Sequence, residues 1–137
     1  MDFRFGEAEE RLRQEVRQFL RANMPQLDPI DRVGSIGNLV VTDDGLCKAA
    51  AFNKTLAKRG WMAPAWPREY GGLGATIYEQ MVFNEEFGYF SPPDNGTRAL
   101  GVSLLGPTLI VHGTEEQKRQ HLSGITSGEV IWCQGFS

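Results

Sequence analysis

The sequence predicts an all-α fold that ends in one β-strand. Two observations predict the helices: apolar residues recur at the 3.6-residue helical period, and two capping boxes mark helix starts in the second half of the chain. The strand is predicted from the apolar run at residues 130–133, which begins with a β-branched pair. Because a single strand is unstable without a partner, the partner strands are expected to follow Ser137, and the chain is expected to continue beyond it.

The first two helices are predicted on either side of a loop. Residues 7–24 carry apolar side chains at helical spacing, with three glutamates in the first turn, where the helix dipole favours negative charge. Residues 25–41 hold two prolines and two glycines and predict a surface loop. The second helix is predicted over residues 43–59, with Thr42 or Asp43 as its cap and Gly60 as the glycine that ends it.

Residues 61–74 predict an ordered loop, because they combine two prolines, three glycines and three large aromatic side chains that can pin the loop by burial. The third helix is predicted from the capping box at residues 76–79 to about Tyr89. The fourth, residues 97–112, is apolar on nearly every side and is therefore expected to be buried, with a kink or break at Gly106-Pro107.

A second capping box, at residues 114–117, predicts a short polar helix that ends near Leu122. The whole chain of 137 residues suits one compact domain. Seventeen acidic against fourteen basic residues give a net charge of −3, which argues against a basic nucleic-acid clamp. We find no apolar run of membrane-spanning length and no signal-peptide pattern. Two cysteines are too few for a disulfide scaffold and favour a reduced, cytoplasmic setting.

Direct chemical motifs are weak in this sequence. His112 and His121 are nine residues apart, whereas a helical metal pair needs i, i+4 spacing, so no metal site is predicted. Glu85 and Glu86 are neighbours on a helix and face different directions. One of them is expected to face inward and the other solvent, which argues against a catalytic carboxylate pair.

The glycine-rich stretch at residues 71–74 is better explained by turn geometry than by phosphate binding, because no strand precedes it and no Lys-Ser/Thr follows. Cys47 and Cys133 lack neighbours that would lower the pKa of a thiol, and both are interpreted as structural. The three tryptophans could stack on a flat cofactor, but aromatic rings more often fill a core.

Several stretches together resemble the N-terminal part of FAD-dependent acyl-CoA dehydrogenases. They are residues 59–74, Glu79 with the pair at residues 85–86, residues 112–118 and residues 132–137, in family order over nearly the whole chain. The resemblance implies a helical N-terminal domain over residues 1–128 and the start of a central β-domain at residues 129–137. It also implies FAD, an acyl-CoA substrate, an electron-transfer flavoprotein or similar acceptor, and a homo-oligomer that is a tetramer or a dimer.

The implied reaction is α,β-desaturation of the thioester, in which a carboxylate removes the α-proton and the flavin N5 takes the β-hydride. In the family, the closing strand runs on into a Glu-Pro and then a Gly-Ser-Asp segment that helps to hold the flavin, and neither is present here. The catalytic glutamate belongs to the C-terminal part of family members, so no catalytic residue is predicted in these 137 residues. The chain by itself is expected neither to hold FAD firmly nor to turn over.

The resemblance assigns flavin contacts to the closing strand. Gln134, Phe136 and Ser137 correspond to family positions that touch the isoalloxazine through backbone groups, and Ser137 adds a hydroxyl. The Trp-Cys-Gln sequence of this strand resembles a broad bacterial branch of the family and favours a branched, cyclic or otherwise bulky acyl group.

The resemblance also assigns an acyl pocket to the fourth helix. The matching positions are Leu100, Gly101 and Leu104, with Pro107 and Thr108 deeper. Gly101 leaves space beside the helix, and the bulk of Leu100 would limit the depth of the acyl chain. The alternative is that Leu100 and Leu104 simply pack in a core.

Two other functions stay open on the sequence alone. The chain could be part of a flavin oxidase or monooxygenase of the same fold, or a non-catalytic helical module that pairs with a fuller subunit. The downstream DNA distinguishes a flavoenzyme of this fold from the non-catalytic module: a following Glu-Pro and Gly-Ser-Asp segment would favour the enzyme, and a stop codon directly after Ser137 would favour the module.

Overall fold

A computed structural model of the chain describes residues 5–33 and 39–135. The described residues form six α-helices, one 3₁₀ turn and one π-helix, and the all-α prediction is confirmed. In chain order the elements are α1 (Glu7–Asn23), α2 (Pro29–Val33), α3 (Asp43–Ala57), the 3₁₀ turn (Arg68–Tyr70), α4 (Ile77–Phe90), the π-helix (Thr97–Leu105), α5 (Gly106–His112) and α6 (Glu115–Thr126). Within the described part of the chain, none of these helices has the length and apolar character that crossing a bilayer requires.

The short helix α2 corrects the prediction of an uninterrupted loop over residues 25–41. Pro29 is the first residue of α2, a position where a helix tolerates proline because its missing N–H would have no partner there. The Asp28 side chain accepts the Ile30 N–H at 3.0 Å and so caps the first turn. The proline that suggested a loop therefore starts a helix.

The predicted helix starts are confirmed. The Thr76 hydroxyl accepts the Glu79 N–H at 3.3 Å while the Glu79 carboxylate accepts the Thr76 N–H at 2.7 Å. Thr114 and Gln117 form the same reciprocal pair before α6. Helix α6 runs to Thr126, beyond the predicted end at Leu122, because Ile125 is fully buried one turn later and extends the packed face.

The fourth predicted helix is divided at Gly106, which confirms the predicted break. The π-helix precedes this residue and α5 follows it. The expectation that the whole segment is buried is wrong, since Leu104 is 51% exposed and Val111 70% exposed. Val102, Leu105, Leu109 and Ile110 pack against the buried clusters, whereas Leu104 and Val111 remain exposed.

Residues 129–135 belong to no helix and no strand. The N–H groups of Glu129 and Val130 both donate to the carbonyl oxygen of Gly124, which turns the chain back across α6. A strand needs a hydrogen-bonded neighbour, and residues 5–33 and 39–135 offer none to this segment. The strand at residues 130–133 and the domain boundary at residue 129 therefore stay predictions.

Two apolar clusters form the core. The first joins α1, α3 and α4 around Trp61, whose ring meets Phe19 edge-on at 5.1 Å and Phe83 at 5.4 Å between centroids. The second surrounds Trp66 and joins the loop before the 3₁₀ turn to α6. Both rings lie in the predicted ordered loop, and both are core residues.

A buried ion cluster fastens α1 to α4. The Glu86 carboxylate, 1% exposed, accepts hydrogen bonds from Arg17 Nε at 2.9 Å, Arg17 Nη2 at 2.7 Å and Arg13 Nη1 at 3.1 Å. The hydrogen bond from Arg17, strengthened by charge, holds the pKa of Glu86 below its usual value. Glu85 is half exposed and pairs with Arg13 at 2.7 Å. One glutamate faces inward and the other outward, as predicted.

Candidate functional site

One cavity of about 240 Å³ is lined both by residues predicted to contact the acyl chain and by a residue predicted to contact the flavin. The π-helix and the start of α5 form one side, and the segment at residues 132–134 forms the other. The lining residues are Leu100, Leu104, Leu105, Thr108, Trp132, Cys133 and Gln134. The cavity is mostly apolar, as sites for small molecules usually are.

Gly101 lies beneath this cavity and faces α6. A Cβ atom at this position would be 3.2 Å from Cγ2 of Ile125 and 3.4 Å from Cδ1 of Trp132. The space beside Gly101 is therefore filled by these two side chains, and the glycine allows the π-helix to approach α6 closely. Its assignment as a substrate contact stays a prediction.

The other predicted positions are divided between several places. Thr108 lines the 240 Å³ cavity, and its hydroxyl donates to the Leu104 carbonyl at 2.9 Å. Pro107 instead borders a separate cleft of about 460 Å³ on the opposite side of the helix, next to Trp66 and Phe83. Phe136 and Ser137 lie outside the described residues.

Three cavity residues were not assigned to the site from the sequence, namely Leu105, Trp132 and Cys133. Leu105 follows Leu100 by five residues, which is the hydrogen-bonding step of a π-helix and slightly more than one of its turns, so a search at α-helical spacing does not place the two together. Trp132 packs edge-on against the His121 ring at 5.3 Å between centroids. Its indole nitrogen is buried without a hydrogen-bond partner among the described residues.

Buried polar groups fix the N-terminal end of the π-helix. The Asp94 carboxylate accepts the Arg98 N–H at 3.2 Å and the Ala99 N–H at 2.8 Å. The Arg98 guanidinium donates to the carbonyl oxygen of Pro92 at 2.9 Å and also to that of Pro93. Burial lowers the pKa of Arg98, and the nearby Asp94 charge opposes that effect.

A second polar contact ties the same end to α3. The Asn95 side-chain oxygen accepts hydrogen bonds from Asn53 Nδ2 at 3.0 Å, from the Thr97 hydroxyl at 2.8 Å and from the Thr97 N–H at 3.3 Å. All three residues are buried. Asn53 Oδ1 and Arg98 Nε have no hydrogen-bond partner among the described residues, so the network is only partly satisfied. Its hydrogen bonds nevertheless connect the start of the π-helix to α3.

The residues present fit one edge of a flavin. Cys133 and Gln134 are exposed beside the cavity in a segment outside any helix or sheet, so their peptide groups are not committed to a helix or a ladder. A flat heteroaromatic ring needs donors and acceptors of this kind at its rim together with an apolar face. Within residues 5–33 and 39–135 we find no group of three or more His, Cys, Asp or Glu side chains that could hold a metal ion.

Comparison with known proteins gives a family match over most of the chain. The family model described as the N-terminal domain of acyl-CoA dehydrogenases matches residues 6–129. Acyl-CoA dehydrogenase IpdE1 of Mycolicibacterium smegmatis is 34% identical over 125 residues, covering 91% of this chain and 31% of the relative. Mitochondrial isovaleryl-CoA dehydrogenase of Bos taurus is 29% identical over 133 residues, covering 96% of this chain and 29% of the relative. The chain thus spans about a third of the length of these curated relatives.

Solved structures agree with the sequence match. The structure named Tcur3481-Tcur3483 steroid ACAD superposes with a TM-score of 0.73 at 35% identity, covering 96% of this chain and 32% of that one. The ChsE4-ChsE5 complex from Mycobacterium tuberculosis superposes with a TM-score of 0.71 at 27% identity, covering 95% of this chain and 30% of that one. Both names denote pairs of proteins.

Proposed function

This chain belongs to the acyl-CoA dehydrogenase family through its N-terminal domain, and we propose that it is the helical part of an FAD-dependent enzyme that desaturates an acyl-CoA thioester. The observation that carries the proposal is the cavity where Leu100 and Leu104 meet Gln134, because a wall for an acyl chain and a flavin edge must be adjacent in such an enzyme. The catalytic base and the rest of the flavin site are assigned to the remaining two thirds of the enzyme.

When bound, FAD supplies the acceptor for the hydride that leaves the β-carbon, while a carboxylate takes the α-proton. The contribution of this chain is binding and orientation. Leu100 and Leu104 provide an apolar wall that excludes water from the acyl group, and the peptide groups around Gln134 hold one edge of the flavin. An electron-transfer flavoprotein or a similar acceptor is the proposed redox partner of the complete enzyme.

A bulky or cyclic acyl group is the proposed substrate class. The relative named as a steroid acyl-CoA dehydrogenase is 35% identical over nearly the whole chain. The Trp132-Cys133-Gln134 sequence, which resembles a broad bacterial branch of the family, also favours a bulky acyl group. The wall beside Gln134 is aliphatic, which suits a ring system without charged groups.

The proposed enzyme is an oligomer. Several apolar side chains of the π-helix, α5 and the C-terminal segment remain exposed, namely Leu104, Val111, Val130 and Ile131. Exposed apolar stretches of this kind favour burial against other protein surface, and both solved relatives are named as protein pairs. The remaining domains and a second subunit are the proposed cover.

Two free cysteines favour a cytoplasmic location.

A flavin titration and a thioester assay test the proposal. The complete enzyme that carries this chain is expected to purify with tightly bound FAD and to bleach its flavin absorbance when an acyl-CoA is added under anaerobic conditions. The 137-residue chain by itself is expected to lose added FAD on gel filtration, because most flavin contacts lie elsewhere. A complete protein without flavin, or one whose flavin no acyl-CoA reduces, would contradict the proposal.

A further inference from the structure

The π-helix is the least expected element of this fold. Nine consecutive residues, Thr97–Leu105, adopt the wider helix, although π-helices are rare and mostly single turns found at functional sites. The Gly106 N–H donates to the carbonyl of Gly101, five residues earlier. The Ser103 hydroxyl donates to the carbonyl of Arg98, also five residues earlier, at 3.0 Å.

The wider register changes which leucines share a face. In an α-helix, five residues correspond to a rotation of about 500°, which leaves Leu105 about 140° away from Leu100. In a π-helix with about 4.4 residues per turn, the same step leaves the two side chains only about 50° apart. Leu100, Leu104 and Leu105 accordingly line the 240 Å³ cavity together, whereas Val102 and Ser103 border the cleft on the opposite side.

Contacts at both ends of the π-helix favour this register. At its start, the Asp94 carboxylate holds the N–H groups of Arg98 and Ala99. At its end, Gly106 lies against the Trp66 ring so closely that a Cβ atom would be 1.8 Å from Trp66 Cζ2. Pro107 has no N–H for an α-helical bond to the Ser103 carbonyl, and its ring would press on that carbonyl in an α-helix. Widening the preceding turns relieves this conflict.

We propose that Leu105 is a third residue that determines acyl specificity, carried into the cavity by the π-helical register that Pro107 maintains. The inference rests on the proposed function, since the cavity must hold the acyl group. Leu105 adds an aliphatic surface beside Leu104 and narrows the cavity toward Trp132. Its size therefore limits the width of the acyl group that fits, while Leu100 limits the depth.

The test compares Leu105→Ala with Leu109→Ala in the complete enzyme. Leu109 is a matched control because it is partly buried against the same core cluster and lies outside the cavity lining. The measured quantity is the ratio of kcat/KM for cyclohexanecarbonyl-CoA to that for butyryl-CoA. Leu105→Ala is expected to raise the ratio about tenfold, and Leu109→Ala is expected to leave it unchanged. Leu105→Phe, which adds volume to the same wall, is expected to lower it.

A double-mutant cycle tests the register. Pro107→Ala permits an α-helical bond and is expected to turn Leu105 out of the cavity, which raises the ratio without any change at Leu105 itself. The Leu105→Ala/Pro107→Ala double variant is then expected to match Leu105→Ala, because both changes remove the same contact. Additive effects, or no effect of Pro107→Ala, would overturn the role of the register.

The outcomes separate this inference from the proposed function. An unchanged ratio in Leu105→Ala, or an equal change in Leu109→Ala, overturns the role of Leu105 in an enzyme that is otherwise active. If no acyl-CoA, these two thioesters included, reduces the flavin of the unmodified enzyme, the proposed function is contradicted and the inference about Leu105 falls with it.

Discussion

At the scale of single residues, Glu86 shows how a buried charge is tolerated. Its carboxylate is almost inaccessible to water, and both oxygens are engaged by guanidinium groups of α1. A glutamine here keeps one acceptor oxygen but lacks the negative charge, and its NH2 group would face the guanidinium groups of Arg17 and Arg13 as a second donor. Glu86→Gln is therefore expected to lower the free energy of unfolding by about 2–3 kcal/mol, measured by urea denaturation at pH 7.

Glu85→Gln is the matched control, since Glu85 is the adjacent residue and also pairs with Arg13 but is half exposed. Its cost is expected to stay under about 1 kcal/mol. The low pKa of Glu86 adds a pH test. A carboxyl group whose pKa is lowered by folding stabilises the protein above its unfolded value of about 4.3, and that contribution is lost as the pH falls through the lower folded value. The difference between the unmodified protein and Glu86→Gln should thus shrink in acid; a constant difference would contradict the assignment.

The sequence could predict such residues only in part. The adjacency of Glu85 and Glu86 on a helix was enough to predict one buried and one exposed carboxylate. The arginine partners could not be identified, because they are about seventy residues away in the chain and the packing of α1 on α4 brings them close.

At the scale of elements, two glycines in helices have opposite surroundings. A Cβ atom at Gly88 in α4 would lie in open space, whereas a Cβ at Gly106 would overlap the Trp66 ring. Gly88→Ala is expected to stabilise the chain by about 0.5–1 kcal/mol through helix propensity. Gly106→Ala is expected to destabilise it by about 1–3 kcal/mol through overpacking. Thermal unfolding of the two variants measures both changes in stability. If both substitutions stabilise the chain, or both destabilise it, the packing of Trp66 on α5 is contradicted.

Helix starts at capping boxes were more predictable than helix ends or helix type. Capping boxes are local, so Thr76 and Thr114 identified their helices from four residues each. The π-helix depends on contacts outside its own sequence, above all Trp66 against Gly106 and Asp94 at the first turn. The sequence predicted a disturbance at Gly106-Pro107 but could not predict that the turns before it widen. Leu105 was missed as a cavity residue for the same reason.

At the scale of the whole molecule, the exposed apolar side of α5 has a testable consequence. Val111 follows Thr108 and Leu104 at helical spacing and is 70% exposed. In the 137-residue chain, Val111→Asp is expected to change stability by less than about 0.5 kcal/mol because the side chain is in water. The same change is expected to reduce self-association, measured by analytical ultracentrifugation, since it places a charge on the apolar side.

The complete enzyme should respond differently, because the proposed function covers this side with other domains or a second subunit. Burying an unpaired aspartate costs several times more than exposing one, so Val111→Asp is expected to lower the Tm of the complete enzyme while barely changing that of the chain. Tyr89→Asp is the control: Tyr89 is 81% exposed, belongs to α4 and does not line the 240 Å³ cavity. If the two variants lower the Tm of the complete enzyme equally, no other domain or subunit buries Val111. The exposed leucine and valine side chains are then in contact with solvent in the complete enzyme too.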